Sequence, residues 1–217
     1  LYGTGFFPDD SDQVYEIPND DLFLVGTSEV SLAALHGDEI LDFEKLPVRY
    51  AGYSTCFRRE AGTYGKDTAG IFRVHQFDKV EMFSFCNPEK SEEEHEFILS
   101  VEEEILQELE IPYRVVDVCT GDLGSSAAKK FDIEAWIPSQ NTYREVTSCS
   151  NTTDFQSRRL NIRTKVDKDS ALLHTLNGTA IAVGRILIAL LENNQTNDGE
   201  VEFSDSLGSI LGVEKLS

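Results

Sequence analysis

The amino-acid sequence predicts an α+β domain, in which helices flank a mainly antiparallel β-sheet. Two observations carry this prediction: strand-forming segments follow one another in two pairs, and an amphipathic helix separates the pairs. The 217 residues include 13 Phe and 7 Tyr but 6 Pro, which excludes collagen-like and disordered chains. We therefore treat residues 1–217 as one domain with a hydrophobic core.

The first strand pair is predicted over Val48–Phe57 and Ile71–Phe85. The segment that joins them, Arg58–Gly70, carries three glycines among charged residues, a composition typical of a long loop. Loops of this length often carry function. Upstream of this pair, apolar residues predict a short strand over Leu22–Val25 and a helix over Val30–His36.

An amphipathic helix is predicted after the first strand pair. Ser91 and Glu94 have the spacing of a capping box at its start. Apolar residues recur at helical spacing from Phe97 to Leu109. The outer face is expected to be a solvated row of glutamates, namely Glu92, Glu93, Glu96, Glu102, Glu103 and Glu104.

The second half of the chain predicts a strand over Tyr113–Cys119, followed by a hairpin formed by Phe131–Ile137 and Tyr143–Ser148. A basic helix, a strand and an apolar helix are then predicted over Asp154–Lys165, Leu172–Leu176 and Ala180–Asn193.

The charge of the chain is strongly acidic, with 39 acidic and 19 basic residues and a net charge of −20. A protein held to nucleic acid by bulk attraction is expected to be basic, so a polyanion would have to bind at a local patch. Two basic clusters are candidates: Arg58, Arg59, Lys66 and Arg73, and Arg158, Arg159, Arg163 and Lys165.

The cysteines predict the redox compartment, and the first residue predicts a fragment. No C-x-x-C motif is present, so the 4 cysteines are expected to be free, mostly buried thiols in a reducing compartment. No apolar stretch is long enough to span a bilayer. The sequence begins with Leu1 rather than Met, and we expect a fragment of a longer protein.

One face of the predicted strand Ile71–Phe85 carries candidate binding groups. Because side chains alternate along a strand, Arg73, Phe77 and Glu81 share a face and lie roughly 13 Å apart in succession. Such a face could contact a triphosphate, a base and an amine in turn. The alternative is a solvent-facing strand of mixed polarity, and alternation alone does not decide between them.

Arginines supply further candidates. Arg58 and Glu60 share a face where the first strand enters the loop, and an arginine fork suits phosphate or carboxylate. A surface salt bridge is the favoured alternative for this pair. Arg185 interrupts the apolar face of the last helix, where an unpaired guanidinium would be costly. It therefore meets either a carboxylate or an anionic ligand.

The hairpin places carboxylates on adjacent strands. Asp132 and Glu134 alternate with apolar residues, and Glu145 lies across the turn. Such an arrangement can hold Mg²⁺ together with substrate phosphates, but exposed acidic residues on a sheet are equally common. Two short polar runs are weaker candidates: Thr27 with Glu29, and Asn177 with Thr179.

Four segments, in order along nearly the whole chain, resemble the seryl-tRNA synthetase family of class II aminoacyl-tRNA synthetases. TCFRREAGTYGKDTAGIFRVHQFDKVEMF, over Thr55–Phe83, resembles motif 2, and LNGTAIAVGRILIALLENNQ, over Leu176–Gln195, resembles motif 3. Thr27-Ser28-Glu29 and REVTSCSNTTDFQSRRLNIR, over Arg144–Arg163, also resemble the family. The family's N-terminal helical arm, which grips tRNA, and motif 1, which forms the dimer interface, have no counterpart here. We therefore expect residues 1–217 to be a catalytic domain truncated at its N-terminus.

The resemblance implies that ATP activates L-serine to seryl-adenylate and pyrophosphate, and that serine is then transferred to tRNA(Ser). It further implies Mg²⁺ with ATP, a homodimer for the full-length protein and a cytoplasmic location. The loop from Arg59 to Ala69 would close over ATP and meet the tRNA acceptor end.

The resemblance also implies site residues. The ATP-binding residues would be Arg58, Glu60, Arg73, Phe77, Glu145, Ser148 and Arg185. Of these, Arg58, Glu145 and Arg185 would be catalytic, and Glu145 and Ser148 would bind the metal. The serine-binding residues would be Thr27, Glu29, Arg58, Glu81, Asn177 and Thr179.

Two alternatives belong to other functional classes. One is a homologous ligase that loads amino acids onto a carrier protein and uses zinc at the amino-acid site. The other is a non-catalytic synthetase-like binding module, which should have lost part of the ATP-binding set.

Overall fold

The computed structural model describes residues 1–9, 11–62, 70–166 and 169–217. Within these ranges the strands are β1 (Tyr15–Ile17), β2 (Leu22–Leu24), β3 (Ile40–Leu41), β4 (Val48–Phe57), β5 (Gln76–Cys86), β6 (Tyr113–Asp117), β7 (Lys129–Ile137), β8 (Thr142–Asn151), β9 (Arg163–Val166), β10 (Asp169–Leu172), β11 (His174–Ala182), β12 (Val201–Glu202) and β13 (Lys215–Leu216). The α-helices are α1 (Glu29–Ala34), α2 (Ser91–Glu108), α3 (Phe155–Leu160), α4 (Val183–Asn193) and α5 (Asp205–Leu211).

A six-stranded antiparallel sheet, in the order β4-β5-β11-β8-β7-β6, forms the centre of the fold. The predicted α+β class is therefore confirmed. The strand Val48–Phe57 has the predicted bounds, and the predicted hairpin forms around the turn at Pro138–Gln140. Smaller sheets flank the centre; in one of them β3 pairs with β9 in parallel.

Helices α2 and α4 cover one face of the central sheet. Their apolar side chains form one core with the inward residues of β7, β8 and β11, including Ile98, Ile133, Leu176, Ile186 and Leu190. In α4 the apolar residues recur at helical spacing, which is why this helix buries one side against the sheet.

The other face of β5 changes character along the strand. Phe77, Lys79 and Glu81 line a cavity, whereas Phe83 and Phe85 continue the same alternation into a second core beneath α1. One row of side chains therefore passes from a polar site into packed aromatic rings.

Three predicted boundaries are wrong. β5 begins at Gln76, so residues 71–75 are irregular and Arg73 and His75 do not belong to the strand. β11 runs through to Ala182, because Asn177 and its neighbours pair with β5 and β8, and α4 begins later than predicted. The basic helix ends early at a left-handed Asn161, so its last two basic residues lie on β9. The predicted loop tip, residues 63–69, lies outside the described residues.

The predicted capping box at the start of α2 is also wrong. A 3-10 turn over Pro88–Lys90 precedes the helix, and the Ser91 hydroxyl donates to the carbonyl oxygen of Pro88. The Glu94 carboxylate instead accepts two hydrogen bonds of 2.7 Å from Arg49 and one of 2.7 Å from Ser84. The side chain expected to cap the helix therefore ties it to the sheet.

The prediction that Glu102 lies on the solvated face of α2 is wrong, because this residue is 0% exposed. Its side chain reaches the sheet where Gly178 leaves room: a Cβ on Gly178 would lie 2.7 Å from a Glu102 carboxylate oxygen and 2.4 Å from Ile98. Neither carboxylate oxygen has a hydrogen-bond partner of ordinary geometry among the described residues. Burial raises the pKa of Glu102 well above its usual value, and the charge of Glu81 adds to this rise.

The predicted burial of most of the cysteines is confirmed. All four thiols are free; Cys56, Cys86 and Cys149 are buried and Cys119 is exposed. Burial raises the pKa of Cys86 to about 12, so its thiol stays protonated at neutral pH. Of the helices described, none has the length and apolarity required to cross a membrane.

We predict that Glu102→Gln stabilises the protein more at pH 8 than at pH 5. The Glu102 carboxyl has a pKa of 4.5 when exposed, and burial in the folded state raises this pKa. Between the two pKa values the folded protein keeps a proton that the unfolded chain has lost, so the free energy of unfolding falls as pH rises. In that interval the free energy of unfolding falls by about 1.4 kcal/mol per pH unit. Gln is neutral at every pH and removes this loss.

Urea unfolding at both pH values measures this difference. Glu104→Gln, at an exposed position on the same helix, is the matched control and should change the free energy of unfolding by the same amount at pH 5 and pH 8. A pH-independent effect of Glu102→Gln would contradict the prediction.

Candidate active site

A cavity of about 240 Å³ opens on the sheet face opposite α2. Its lining includes residues of β5, β7, β8 and β11, residues around the start of α1, residues between β4 and β5, and the start of α4. Every site residue that the family resemblance implies lines this cavity: Thr27, Glu29, Arg58, Glu60, Arg73, Phe77, Glu81, Glu145, Ser148, Asn177, Thr179 and Arg185.

The deep end of the cavity is built around a buried ion pair. Lys79 is 5% exposed and Glu81 is 2% exposed, and the ammonium of Lys79 pairs with the Glu81 carboxylate. Lys79 also donates to the Thr27 hydroxyl oxygen at 2.8 Å, and the Thr179 hydroxyl donates to Glu81 at 3.3 Å. These contacts join three separate chain segments at one point.

Glu29 forms a second buried carboxylate beside this pair. Gln156 and Asn177 donate to the same Glu29 oxygen at 2.8 and 3.1 Å. Burial raises the pKa of Glu29 to about 7; the charge of Glu81 also raises it, while Gln156, Lys79 and Arg58 act in the opposite direction. The deep end can therefore receive a cationic ligand group, with a strength that depends on pH near neutrality.

Arg58 lies between the deep end and the mouth. Its Nε donates to the carbonyl oxygen of Gly26 at 3.2 Å, and its guanidinium carbon is 5.3 Å from the centre of the Phe77 ring. Both side chains line the cavity. A flat ligand group could stack on the ring while the guanidinium contacts an anion.

Glu60 and Arg73 form an ion pair of 3.0 Å at the cavity mouth. The predicted shared face of Arg58 and Glu60 is wrong, because β4 ends at Phe57 and Glu60 has a positive φ of 51°. The predicted spacing of Arg73 along β5 is likewise wrong, since Arg73 precedes that strand. Arg73 reaches the cavity through a backbone turn instead.

Arg185 meets the carboxylate that its burial requires. Its guanidinium donates to the Glu145 carbonyl oxygen at 3.0 Å and lies 3.6 Å from the Glu145 carboxylate. Burial lowers the pKa of Arg185, and the Glu145 charge opposes this effect. Because Arg185 also lines the cavity, the two possibilities left open by the sequence are compatible.

Oxygen donors for a divalent cation occur on β8 and β7. Glu145 and Ser148 line the cavity on β8, and Asp132 on β7 is the register partner of Ser148. Asp132 is paired with Lys130 at 2.8 Å. Among the described residues no three acidic, histidine or cysteine side chains converge on one metal position.

Three important residues were not assigned from the sequence. Lys79 lies between Phe77 and Glu81 on the same strand face, and it could have been found by asking which cation neutralises Glu81. Phe72, which alternation places on the face of the predicted strand opposite Phe77, lines the cavity because β5 begins after it. Gln156 is fully buried on α3 and contacts Glu29 across a long sequence separation, which no local pattern shows.

We predict that Lys79→Met lowers the free energy of unfolding by about 3–5 kcal/mol, because it leaves the buried Glu81 carboxylate without its cation. The double variant Lys79→Met/Glu81→Leu should recover most of this loss, since it removes both charges. Urea unfolding of the two single variants and the double variant measures the coupling.

The exposed pair Lys90–Glu93, at 2.8 Å, provides the control, and Lys90→Met should have little effect. If the double variant loses as much free energy of unfolding as the two single variants lose in sum, Lys79 and Glu81 are not coupled.

Comparison with known proteins assigns the family. Residues 14–194 match the family model described as tRNA synthetase class II core domain (G, H, P, S and T). Over 216 residues the chain is 58% identical to serine–tRNA ligase 1 of Streptomyces avermitilis and 59% identical to serine–tRNA ligase of Streptomyces coelicolor. It matches along its whole length and spans about half the length of these relatives, 51% of each.

Two solved structures are similar over nearly the whole chain. Seryl-tRNA synthetase from Pyrococcus horikoshii complexed with ATP has a TM-score of 0.94 and 54% identity, covering 98% of this chain and 48% of that one. Cytoplasmic serine–tRNA ligase from Naegleria fowleri in complex with AMP has a TM-score of 0.93 and 40% identity, covering 100% and 52%. The chain therefore belongs to the class II tRNA synthetase core-domain family.

Proposed function

We propose that residues 1–217 form the catalytic domain of a serine–tRNA ligase, which uses ATP to activate L-serine and transfers it to tRNA(Ser). The observation that carries this proposal is that all the site residues expected for that reaction line one cavity. The high identity to serine–tRNA ligases and the fold shared with ATP-bound and AMP-bound relatives support it.

ATP would occupy the outer part of the cavity. Its adenine would stack between Phe77 and Arg185, with Glu60 accepting a hydrogen bond from the exocyclic amine. Arg58 would contact the α-phosphate, and Arg73 and Arg185 the outer phosphates. The Glu60–Arg73 ion pair would have to open for both groups to reach the nucleotide.

Serine would occupy the deep end. Its ammonium and hydroxyl groups would be received by Thr27, Glu29, Glu81 and Thr179, with Asn177 beside them. The Thr27 oxygen already accepts hydrogen bonds from Lys79 and from the backbone N–H of Glu29, so its own hydrogen is directed to another acceptor. A site built from such groups discriminates strongly against alanine, which lacks the hydroxyl.

A magnesium ion bound with ATP fits the donors on β8. The Glu145 carboxylate and the Ser148 hydroxyl both line the cavity, and Mg²⁺ is commonly held by one or two carboxylates together with substrate phosphates. When bound, the ion would neutralise phosphate charge.

The reaction needs no side-chain nucleophile. A serine carboxylate oxygen attacks the α-phosphorus, the bond from that phosphorus to the bridging oxygen of the β-phosphate breaks, and pyrophosphate leaves. The guanidinium of Arg58 would stabilise the charge that develops at the α-phosphate. A terminal hydroxyl of tRNA(Ser) then attacks the seryl carbonyl, and AMP leaves.

The complete protein would act as a cytoplasmic homodimer, as the resemblance to the seryl-tRNA synthetase family implies. This chain spans about half the length of the serine–tRNA ligases that it matches. The acidic net charge of −20 suits a catalytic domain whose tRNA is held mainly elsewhere.

Serine-dependent ATP–pyrophosphate exchange, run on the complete natural protein, tests the proposed function. Exchange that requires serine supports it. A protein that binds ATP without catalysing exchange would instead be a binding module. Stoichiometric zinc, together with amino-acid transfer to a carrier protein, would favour the carrier-protein ligase.

We predict that Arg58→Ala reduces this exchange by at least about a hundredfold, because the developing charge at the α-phosphate loses its guanidinium. Arg114→Ala is the matched control, since Arg114 is an exposed arginine paired with Glu134 on the sheet. The control should retain the parent rate. Exchange near the parent rate in Arg58→Ala would remove Arg58 from the proposed role.

We also predict that the KM for serine falls roughly tenfold between pH 6 and pH 8. Glu29, whose pKa is about 7, is mostly protonated at pH 6 and mostly ionised at pH 8, and the ionised form receives the serine ammonium better. Glu29→Gln should have a raised and nearly pH-independent KM. A parent KM that stays constant over this range would contradict the role of Glu29.

A further inference from the structure

Phe72 is a buried ring held between two guanidinium groups beside the cavity. Its side chain is 7% exposed, and the guanidinium carbons of Arg144 and Arg185 lie 4.3 and 4.9 Å from its centre. Although it is apolar and buried, Phe72 belongs to neither hydrophobic core of the described residues. Two of its packing partners are cations.

The backbone around Phe72 is packed directly on the first turn of α4. Gly184 approaches this segment so closely that a Cβ there would lie 3.2 Å from the carbonyl oxygen of Ile71. Gly184 immediately precedes Arg185, so the segment and the guanidinium are fixed relative to each other by backbone contact as well as by the ring.

Arg185 therefore has two kinds of support. Glu145 contacts the guanidinium through its carbonyl oxygen and its carboxylate, while Phe72 contacts it through an aromatic face. A cation over an aromatic ring is attracted by the ring's quadrupole, and most strongly where the pair is desolvated. Glu145 can anchor the position of the guanidinium, but a ring contact also restricts how its plane is oriented.

We propose that Phe72 is a positioning residue for ATP binding, whose ring orients the Arg185 guanidinium toward the nucleotide. This inference rests on the proposed function, because it takes ATP as the ligand of the cavity. Phe72 acts through Arg185 and requires no contact of its own with the reacting atoms. Its loss should weaken the nucleotide side of the site and leave the serine side intact.

The test compares Phe72→Leu, which keeps an apolar side chain but removes the aromatic face, with Phe72→Tyr, which keeps the ring. In the complete natural protein, Phe72→Leu should raise the KM for ATP in pyrophosphate exchange about tenfold, with a KM for serine within about twofold of the parent. Phe72→Tyr should restore the parent KM for ATP.

Phe97→Leu is a matched control, because Phe97 also has an arginine over its ring, Arg49 at 3.8 Å, but lies outside the cavity. This control should leave both KM values unchanged. If Phe72→Leu does not fold, Phe72→Met replaces it in the same comparison.

A double-mutant cycle separates positioning from general packing. If Phe72 acts through Arg185, Phe72→Leu should add little to the KM for ATP when Arg185→Lys is already present. Equal increases in the KM values for ATP and serine would overturn the proposal, as would full additivity with Arg185→Lys or a KM for ATP within twofold of the parent.

A failure of the proposed function has a different signature. If the parent protein shows no serine-dependent exchange, ATP binding measured by calorimetry still decides the inference. Weaker ATP binding by Phe72→Leu than by Phe72→Tyr supports the positioning role, and equal binding, or no ATP binding by the parent, overturns it.

Discussion

The cavity depends on the buried pair between Lys79 and Glu81, because two charges removed from water must be matched by each other and by nearby dipoles. Thr27 and Thr179 complete that match from two other chain segments. The desolvation cost of the pair therefore constrains where the segment before α1, the middle of β5 and the middle of β11 meet. Glu29 reinforces the same junction through Asn177 on β11 and Gln156 on α3.

Opposite charges predominate at the two ends of this cavity, although each end also holds a counter-charge, Lys79 at the deep end and Glu60 at the mouth. The carboxylates of Glu29 and Glu81 lie at the deep end, and the guanidiniums of Arg58, Arg73 and Arg185 lie toward the mouth. A ligand pair with a cationic head and an anionic polyphosphate would find each charge opposite its complement. The net charge of the chain says nothing about this pattern, because an acidic surface and a locally cationic mouth coexist.

Local patterns predicted much of the fold, and they failed where tertiary contacts override them. Alternation and turn residues predicted the β7–β8 hairpin and the bounds of β4 because these features are local. Glu102 was misjudged because its burial depends on a gap at Gly178, which lies far away in sequence. The site residues were reached through family resemblance; alternation alone placed Phe77 and Glu81 together but misplaced Arg73, whose backbone leaves the strand.

The contact between Gly178 and α2 has a consequence for how the pocket could change. No side chain fits at Gly178, since Ile98 and Glu102 occupy the space behind it, while its neighbours Asn177 and Thr179 project to the opposite side. The depth of the cavity is thus limited from the rear by a helix that does not line it. Deepening the cavity at this point would require β11 and α2 to shift together away from it, so the depth of the cavity is supported by the packing of the domain as a whole.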